Sequence, residues 1–130
     1  MNIEGIINVS GKPGLNRIIS HGKNSVIVES LIDKKRFPVY SNNNANSLEE
    51  IGIYTYEDTI SLKDVFIKIA EITKYNKCIS HKENKNDLEN FFREIIPNYD
   101  EERVYISDIK KVFQWYNVLH TAGLIKLSEK

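Results

Sequence analysis

A glycine-rich stretch near the N-terminus, "NVSGKPGLNRIISHGKN" at 8–24, contains the residue types of a phosphate-binding loop. A P-loop follows the pattern GxxxxGK[ST] and opens a helix whose backbone N–H groups face the phosphate. Here Lys12 is followed by Pro13, which has no N–H to donate, and a strand-like pattern follows Gly14. The stretch therefore predicts a turn with a positive φ at Gly14, which presents Lys12 on an exposed loop where it can contact an anion.

The residues able to ligate a metal or attack a substrate are too few for a catalytic site. Cys78 and His81 have a CxxH spacing, but a zinc site needs three or four ligands and no second pair is visible. A thiol and an imidazole three residues apart in a loop rarely form a nucleophile–base pair. The acids at 100–102 are consecutive, so their side chains point in different directions. We therefore expect no catalytic residue, no metal and no cofactor, and no enzyme activity.

The single tryptophan is the first candidate for binding. Trp115 lies about 60–100° from the apolar stripe of its predicted helix, at 100° per residue. It either widens the buried face or is partly exposed, and the pattern leaves both possibilities open. Exposed tryptophans are frequent hot spots of protein interfaces. The exposed alternative predicts that Trp115 anchors a protein partner.

A group of basic residues near the N-terminus is the second candidate. Residues 10–40 carry six basic and two acidic side chains, whereas residues 94–108 carry one basic and five acidic ones. Small β-barrels bind nucleic acids by stacking bases on aromatic side chains beside a basic rim. The strand tyrosines Tyr40, Tyr54 and Tyr56 could stack. The basic rim would consist of Lys12, Arg17, Lys34, Lys35 and Arg36.

The composition limits the classes of function. The chain has 130 residues, with 41% apolar and 28% charged residues, which is typical of a globular protein. Eighteen basic residues balance eighteen acidic ones, and this argues against a strong non-specific nucleic-acid binder. One cysteine excludes an intrachain disulfide and is consistent with a reducing compartment. Without a signal peptide or a membrane-length apolar run, we expect a cytoplasmic protein that does not bind membranes.

The elements that would position these residues change character near residue 60. Short apolar segments separated by turn residues predict five strands, with Pro38 restricting the fourth to an edge or a bulge. The stretch 41–50 is polar and is predicted to be a loop. The five predicted strands are 3–9, 15–21, 25–31, 36–40 and 51–56.

The second half has the period of amphipathic helices. Ser61 with Asp64 three residues later predicts a helix start, and apolar residues from Leu62 to Ile72 share one face. A second helix is predicted at 87–96, ended by Pro97. Further along, Ser107 is predicted to cap a third helix. Gly123 would end that helix in a left-handed conformation, and 124–127 would fold back onto the helices.

The order of elements predicts an α+β protein with two units. Strands followed by helices indicate an α+β fold or two small domains. The expected organisation is a five-stranded SH3-like antiparallel barrel at 1–56, a linker at 57–60 and a three-helix unit at 61–130. Three helices of this size are marginal alone, which favours docking onto the barrel.

Several blocks of the sequence carry a family resemblance over essentially the whole chain. They are "GIINVSGKPGLNRIISHGKNSVIVESLIDKKRFPVY", "EEIGIYT", "ISHK", "PNYDEERVYISDIKKVFQWYNVL" and "GLI". Together they resemble a family of small Bacteroidetes proteins of unknown function. The resemblance implies a bacterial protein that is complete at about this length, and it implies no activity. The N-terminal half is also similar in strand count and length to SH3-like barrels of the Tudor and KOW type.

We therefore expect a non-catalytic interaction or adaptor protein. It would bind a protein partner, or a second copy of itself, through the barrel loops or a helical face near Trp115. The alternative is a weak nucleic-acid binder that uses the basic edge of the barrel. A third possibility is an enzyme whose site the sequence does not reveal.

Overall fold

The described part of the chain, in a computed structural model, comprises residues 3–9, 14–40 and 45–125. It has an α+β fold in which strands occupy the first half and three helices the second, as the change of period predicts. The strands are β1 (Ile6–Val9), β2 (Asn16–His21), β3 (Ser25–Ser30), β4 (Arg36–Tyr40), β5 (Ala45–Ser47), β6 (Gly52–Tyr54) and β7 (Thr59–Ser61).

Five strands form one antiparallel sheet in the order β4-β3-β2-β1-β5. The predicted closed SH3-like barrel is not found, because β4 and β5 are the two edges of this sheet and do not pair within the described residues. The fifth strand is also not the predicted one. It is β5, which lies inside the stretch 41–50 that was expected to be a loop. The predicted strand 51–56 is represented by β6, which pairs with β7 in a separate hairpin.

The five-stranded sheet carries a small apolar cluster that is separate from the main core. Ile7, Val9, Val28 and Val39 are buried there, on one face of β1, β3 and β4. The register between β2 and β3 shifts after Ile18, which is an irregularity of the kind that bends strands locally.

The turn residues of the N-terminal half have the expected conformations where the structure describes them. Gly14 has a φ of 75°, which confirms the predicted positive φ. A Cβ atom at this position would meet only the end of the exposed Ile32 side chain, so the left-handed conformation is the main reason for a glycine here. Residues 10–13, including Lys12, lie outside the described residues.

Helix α1 (Leu62–Thr73) begins as predicted. The hydroxyl of Ser61 accepts the backbone N–H of Asp64 at 3.2 Å, which confirms the cap. Val65, Phe66 and Ile69 are fully buried on the predicted face. Ile72 is 46% exposed, so its expected place on that face is wrong. The helix ends directly after it at Thr73, where Lys74 is left-handed with a φ of 57°.

Helix α2 (Lys85–Ile95) begins two residues before the predicted start. Asn84 supplies the cap, and its side-chain oxygen accepts the backbone N–H of Asp87 at 2.9 Å. Leu88, Phe92 and Ile95 are buried, as their spacing predicts.

Helix α3 (Ile106–Thr121) is capped by a different residue from the predicted one. Ser107 lies inside the first turn, and the N-cap is Tyr105, whose backbone N–H donates to the Asp108 carboxylate at 3.0 Å. Asp108 therefore replaces the serine as the stabilising group of this helix end. At the other end Gly123 has a φ of 79°, which confirms the predicted left-handed termination.

The main core joins the helices to the sheet. Ile3, Ile6, Leu15 and Leu48 of the first half belong to the same buried cluster as the faces of the three helices. Ile125 is 7% exposed and packs on this cluster, which agrees with the predicted fold-back. No helix of the described residues is both long enough and apolar enough to cross a bilayer.

Aromatic side chains fill the centre of the helical part of the core. The ring of Phe92 packs edge-on against Tyr99 at 4.8 Å and against Phe113 at 5.9 Å. Phe66 contacts Tyr116 at 6.2 Å between ring centroids. Burial raises the pKa of the Tyr99 and Tyr116 phenols above the ordinary value, so both stay neutral as packing groups.

Candidate functional site

A groove of about 260 Å³ lies where α3 faces β6 and the β1–β5 edge of the large sheet. We call it the Trp115 groove, after the tryptophan among its lining residues. Its other lining residues are Asn8, Asn46, Ile51, Gly52, Ile53, Tyr54, Leu62, Arg103, Asp108, Lys111 and Val112. Strands, the loop before α3 and the first half of α3 all contribute, so the groove depends on the junction of the two halves.

Trp115 lies largely within the core at the base of this groove. It is 8% exposed and belongs to the main buried cluster, together with Val112 and Leu62. The helical pattern left open whether Trp115 widens the buried face of α3 or is partly exposed. In the structure it widens the buried face. The remaining exposed part of Trp115 lies in the groove, where it offers an apolar contact.

One wall of the groove is formed by two asparagines. Asn8 of β1 and Asn46 of β5 are direct cross-strand partners, so their side chains share one face of the sheet. Asn8 alternates with Ile7 and Val9, whose side chains lie in the cluster on the opposite face. The strand alternation therefore directs two amide groups toward α3. Amides can both donate and accept hydrogen bonds.

The charged residues of the groove differ in whether they already have a hydrogen-bond or ion-pair partner within the chain. Arg103 donates to the Asp100 carboxylate at 2.8 Å, and its guanidinium lies 4.4 Å from the ring centroid of Tyr54. That hydrogen bond lowers the pKa of Asp100 below its ordinary value of 3.8. Asp108 accepts the N–H of Tyr105. Lys111 is exposed and forms no ion pair with a described residue, so its ammonium group is available to an acidic group.

Three exposed tyrosines surround the loop that precedes α3. Tyr54 is 47%, Tyr56 is 61% and Tyr105 is 65% exposed. The hydroxyl of Tyr56 accepts the backbone N–H of Glu101 at 3.3 Å, which ties the hairpin to this loop. Tyrosines with one apolar face and one polar end are enriched at protein interfaces. Tyr54 and Tyr56 were predicted from the sequence to stack on bases, whereas the neighbouring Tyr105 and Arg103 were not singled out.

Two residues of the predicted basic rim lie on strands of the large sheet. Arg17 of β2 and Arg36 of β4 are the two cross-strand partners of Glu29. The carboxylate of Glu29 accepts from Nε of Arg36 at 3.1 Å. One acidic residue thus lies between two of the predicted cations and offsets part of their charge.

The remaining predicted cations lie in the turn between β3 and β4. Lys34 has a φ of 64° and is exposed, and Lys35 is exposed beside it. The backbone N–H of Lys35 donates to Asp33 at 3.0 Å and lowers the pKa of that carboxyl. Lys12 lies outside the described residues. None of the described basic residues of the rim lines the Trp115 groove.

Cys78 is held in a protected position. Its backbone N–H donates to Oδ1 of Asn117 at 2.9 Å, and its Sγ contacts the carbonyl oxygen of Phe113 at 3.7 Å. Burial raises the pKa of the Cys78 thiol to about 12, so the nucleophilic thiolate is scarce at neutral pH. Within the described residues, no three histidine, cysteine or acidic side chains gather as metal ligands do.

A second groove, of about 320 Å³, was not anticipated from the sequence. Ile32 and Leu31 of the β3–β4 turn face His81 and the last turns of α3, and the lining is mostly apolar. Ile32 is 60% exposed. The only sequence signal for this groove was an isoleucine inside an otherwise polar turn.

The Trp115 groove combines apolar, amide and charged side chains. Its carboxylate Asp108 accepts the backbone N–H of Tyr105, and its cation Arg103 is paired with Asp100. What it offers is an apolar base, two amides and an available ammonium group. These are the means by which proteins recognise segments of other chains.

Comparisons with known proteins agree with the family resemblance. Residues 51–119 match a family described as a domain of unknown function (DUF6852), and residues 3–48 match a second one (DUF5606). No curated protein matches the chain. A solution NMR structure of a Bacteroides vulgatus protein, a structural-genomics target, is 36% identical with a TM-score of 0.78. The similarity covers 96% of this chain and 90% of that one, which confirms the resemblance to small Bacteroidetes proteins.

Proposed function

We propose that this chain, which belongs to the family of the domain of unknown function DUF6852, is a non-catalytic interaction module that binds a protein partner in the Trp115 groove. The observation that carries the proposal is the composition of this groove. An exposed edge of Trp115, the amides of Asn8 and Asn46 and the available ammonium group of Lys111 line one depression. Apolar bases with a polar rim are typical of protein-binding surfaces.

The size of the groove supports a protein partner over a small molecule. Pockets for cofactors and drug-sized ligands commonly span about 300–1,000 Å³ and enclose most of the ligand. At about 260 Å³ the Trp115 groove is smaller than that range and open to solvent along Lys111 and Tyr54. Its shape suits a few side chains of another polypeptide, whose remainder would lie across the neighbouring tyrosines.

The existing contacts of the charged groups favour binding over catalysis. Arg103 is shared between Asp100 and the ring of Tyr54, and Asp108 caps α3. These contacts fix the rim of the groove before a partner arrives. A pre-ordered rim lowers the entropy cost of association.

Binding of a nucleic acid is the alternative function, and it would use the other surface. Arg17, Lys34 and Lys35 are exposed and could contact phosphates. Glu29 and Asp33 lie among them, which weakens the positive potential that non-specific binding requires. We therefore rank this function below protein binding, and a cytoplasmic location remains part of the proposal for either function.

The test is affinity capture from a Bacteroides lysate with and without nuclease, using the wild-type chain and two charge reversals. Lys111→Glu changes the groove, whereas Lys110→Glu makes the same change on the neighbouring exposed position of α3, outside the groove. We expect one protein to be retained by wild type and Lys110→Glu and lost with Lys111→Glu. Equal capture by both variants would overturn the groove as the binding site. Capture that nuclease abolishes would support the nucleic-acid alternative.

Self-association is a distinct form of the same proposal and needs its own measurement. Light scattering during size-exclusion chromatography gives the mass of the wild-type protein and of Lys111→Glu. If the partner is a second copy, the wild type has twice the monomer mass of 15.1 kDa and Lys111→Glu is a monomer. If the wild type is a monomer, the partner is a different protein.

A further inference from the structure

One edge of β6 is only partly paired within the described residues, and its unpaired part borders the Trp115 groove. Leu62 donates its N–H to the carbonyl of Ile51 at 3.0 Å, and Thr55 donates to that of Asp58 at 2.8 Å. These bonds join β6 to β7 through the odd-numbered residues of β6. Because backbone groups alternate in direction along a strand, those of Gly52 and Tyr54 point away from β7.

Another part of the chain already pairs with this edge. The N–H of Asp100 donates to the carbonyl of Tyr54 at 2.9 Å, and the N–H of Tyr56 donates to the carbonyl of Asn98 at 3.0 Å. The pairing ends there, because Val104 donates its N–H back to Asp100 at 2.9 Å and turns the chain toward α3. The N–H and carbonyl of Gly52 and the N–H of Tyr54 lie beyond the turn and have no partner among the described residues.

The outer edge of β4 provides a contrast within the same molecule. Ser30 donates its N–H to the carbonyl of Lys35 at 2.9 Å, so the alternation turns the backbone nitrogen of Pro38 outward. Proline has no N–H there, and prolines and charged residues are the usual means of blocking edge pairing. The edge of β6 carries Gly52 at the corresponding place, and its backbone groups remain free to pair.

We infer that the protein partner contributes an extended segment that adds to the free edge of β6 and carries an acidic side chain that binds Lys111. This inference deepens the proposed function and rests on it. The segment would continue the ladder of residues 98–100 with hydrogen bonds to Gly52 and Tyr54. In such strand addition the main chain supplies affinity, and pockets for alternate side chains supply specificity.

The groove determines which side chains the segment would carry. Successive residues of a strand point to opposite faces, so every second side chain of the partner would face the groove. An apolar side chain would contact Trp115 and Val112, and a carboxylate two residues away would reach the available ammonium group of Lys111. Arg103 is already paired with Asp100, so Lys111 is the cation of the lining that is available to a carboxylate of the segment.

The probe is a displayed library of random dodecapeptides selected on the full chain, from which the most enriched sequence is synthesised. Two backbone N-methylated versions are compared, each blocking alternate N–H groups. We expect one version to bind roughly tenfold or more weakly, since it loses hydrogen bonds to β6. The other blocks N–H groups that point to solvent, and its affinity should stay within roughly twofold. Amide resonances of Gly52 and Tyr54 should shift on binding.

The same peptide is then measured on the two charge-reversal variants. Lys111→Glu should weaken binding roughly tenfold, and Lys110→Glu should not. Failure to enrich acidic peptides would overturn the acidic side chain, and equal affinity of the two N-methylated versions would overturn strand addition. In that case, capture that still depends on Lys111 would leave the proposed function standing, with a folded surface as the partner. Loss of the Lys111 dependence in both experiments would reject the two proposals together.

Discussion

Replacing Asn117 by alanine should release the connection between α1 and α2 from α3. The side chain of Asn117 accepts the N–H of Cys78 at 2.9 Å and donates to the carbonyls of Cys78 and Ile79, each at 3.3 Å. No regular secondary structure supports this part of the connection, which spans residues 74–84. One amide side chain therefore provides hydrogen bonds that a helix or strand would otherwise supply.

The loss of stability follows from these three bonds. A hydrogen bond contributes about 0.5–1.5 kcal/mol net, and a half-buried N–H left without a partner costs about 1–3 kcal/mol. Asn117→Ala should therefore lower the free energy of unfolding by about 2–3 kcal/mol, which corresponds to a fall of the thermal midpoint on the order of 10 °C. Asn117→Asp keeps the acceptor for Cys78 but places a charge against two carbonyls, so we expect it to be no better than alanine.

The thiol of Cys78 reports on the same connection. With a pKa raised to about 12, its thiolate fraction at pH 8 is only about 10⁻⁴ in the folded protein. Labelling by a disulfide reagent must then proceed through opening of the connection. If Asn117→Ala favours that opening by about 2 kcal/mol, the labelling rate should rise roughly 30-fold.

A matched control separates this effect from general damage to α3. Gln114 lies one turn earlier on the same helix, and its side chain has no hydrogen bond to a described residue. Gln114→Ala should therefore change neither the thermal midpoint nor the labelling rate of Cys78 by much. If Asn117→Ala unfolds at the wild-type midpoint and labels at the wild-type rate, the three bonds do not hold the connection. If the thermal midpoint falls but the labelling rate of Cys78 rises only as much as global unfolding does, the connection does not open independently of the rest of the protein.

Three further changes test the fold and the rim of the groove. A Cβ at Gly52 would lie 2.5 Å from Cγ2 of Thr59, so Gly52→Ala should cost about 1–3 kcal/mol in urea unfolding, and adding Thr59→Ala should restore most of it. Because Arg103 lowers the pKa of Asp100, the stability from that carboxylate is present above about pH 4 and is lost as the pH falls further. Arg103→Gln should therefore unfold less steeply with acid below pH 4 than wild type does, as followed by circular dichroism. Ser61→Ala removes the cap of α1 and should lower the free energy of unfolding by about 1 kcal/mol. An unchanged free energy of unfolding would show that the hydroxyl does not stabilise the helix.

Local signals in the sequence predicted the helices well. The cap at Ser61 and the termination at Gly123 depend on the residue itself and its nearest neighbours, and both were found in place. The cap of α3 was placed at Ser107, because a serine is the commoner signal. Asp108 provides the stabilising carboxylate instead, at a position that allows its side chain to reach the backbone of Tyr105.

Long-range contacts explain most of what the sequence could not predict about the sheet. Asn46 and its neighbours are polar and lack the pattern of a strand, yet β5 pairs with β1 because the edge of β1 needs partners for its backbone groups. Leu48 follows at once and is fully buried in the main core. Pairing of a polar segment is determined by the strand beside it, which a single sequence does not display.

The candidate site was predicted only in part, for a related reason. Trp115 could be singled out because its residue type and its angle on the helix are local properties. Lys111, Asn8 and Asn46 come from separate elements, and none of them is unusual in its own stretch of sequence. Their significance arises from being brought together, which requires the sheet topology.

The opening of the sheet and the presence of the groove have the same structural origin. In a closed barrel, the last strand would pair with a free edge strand of the five-stranded sheet and would cover that edge. Here the short 3₁₀ turn at Leu48–Glu50 buries Leu48 and leads the chain away from β5, so that β6 pairs with β7 instead. The space left between β5 and β6 is bordered by α3, and Trp115 closes its base. The departure from a barrel thus leaves part of the β6 edge unpaired beside Trp115 and Lys111, and the proposed strand addition rests on this combination.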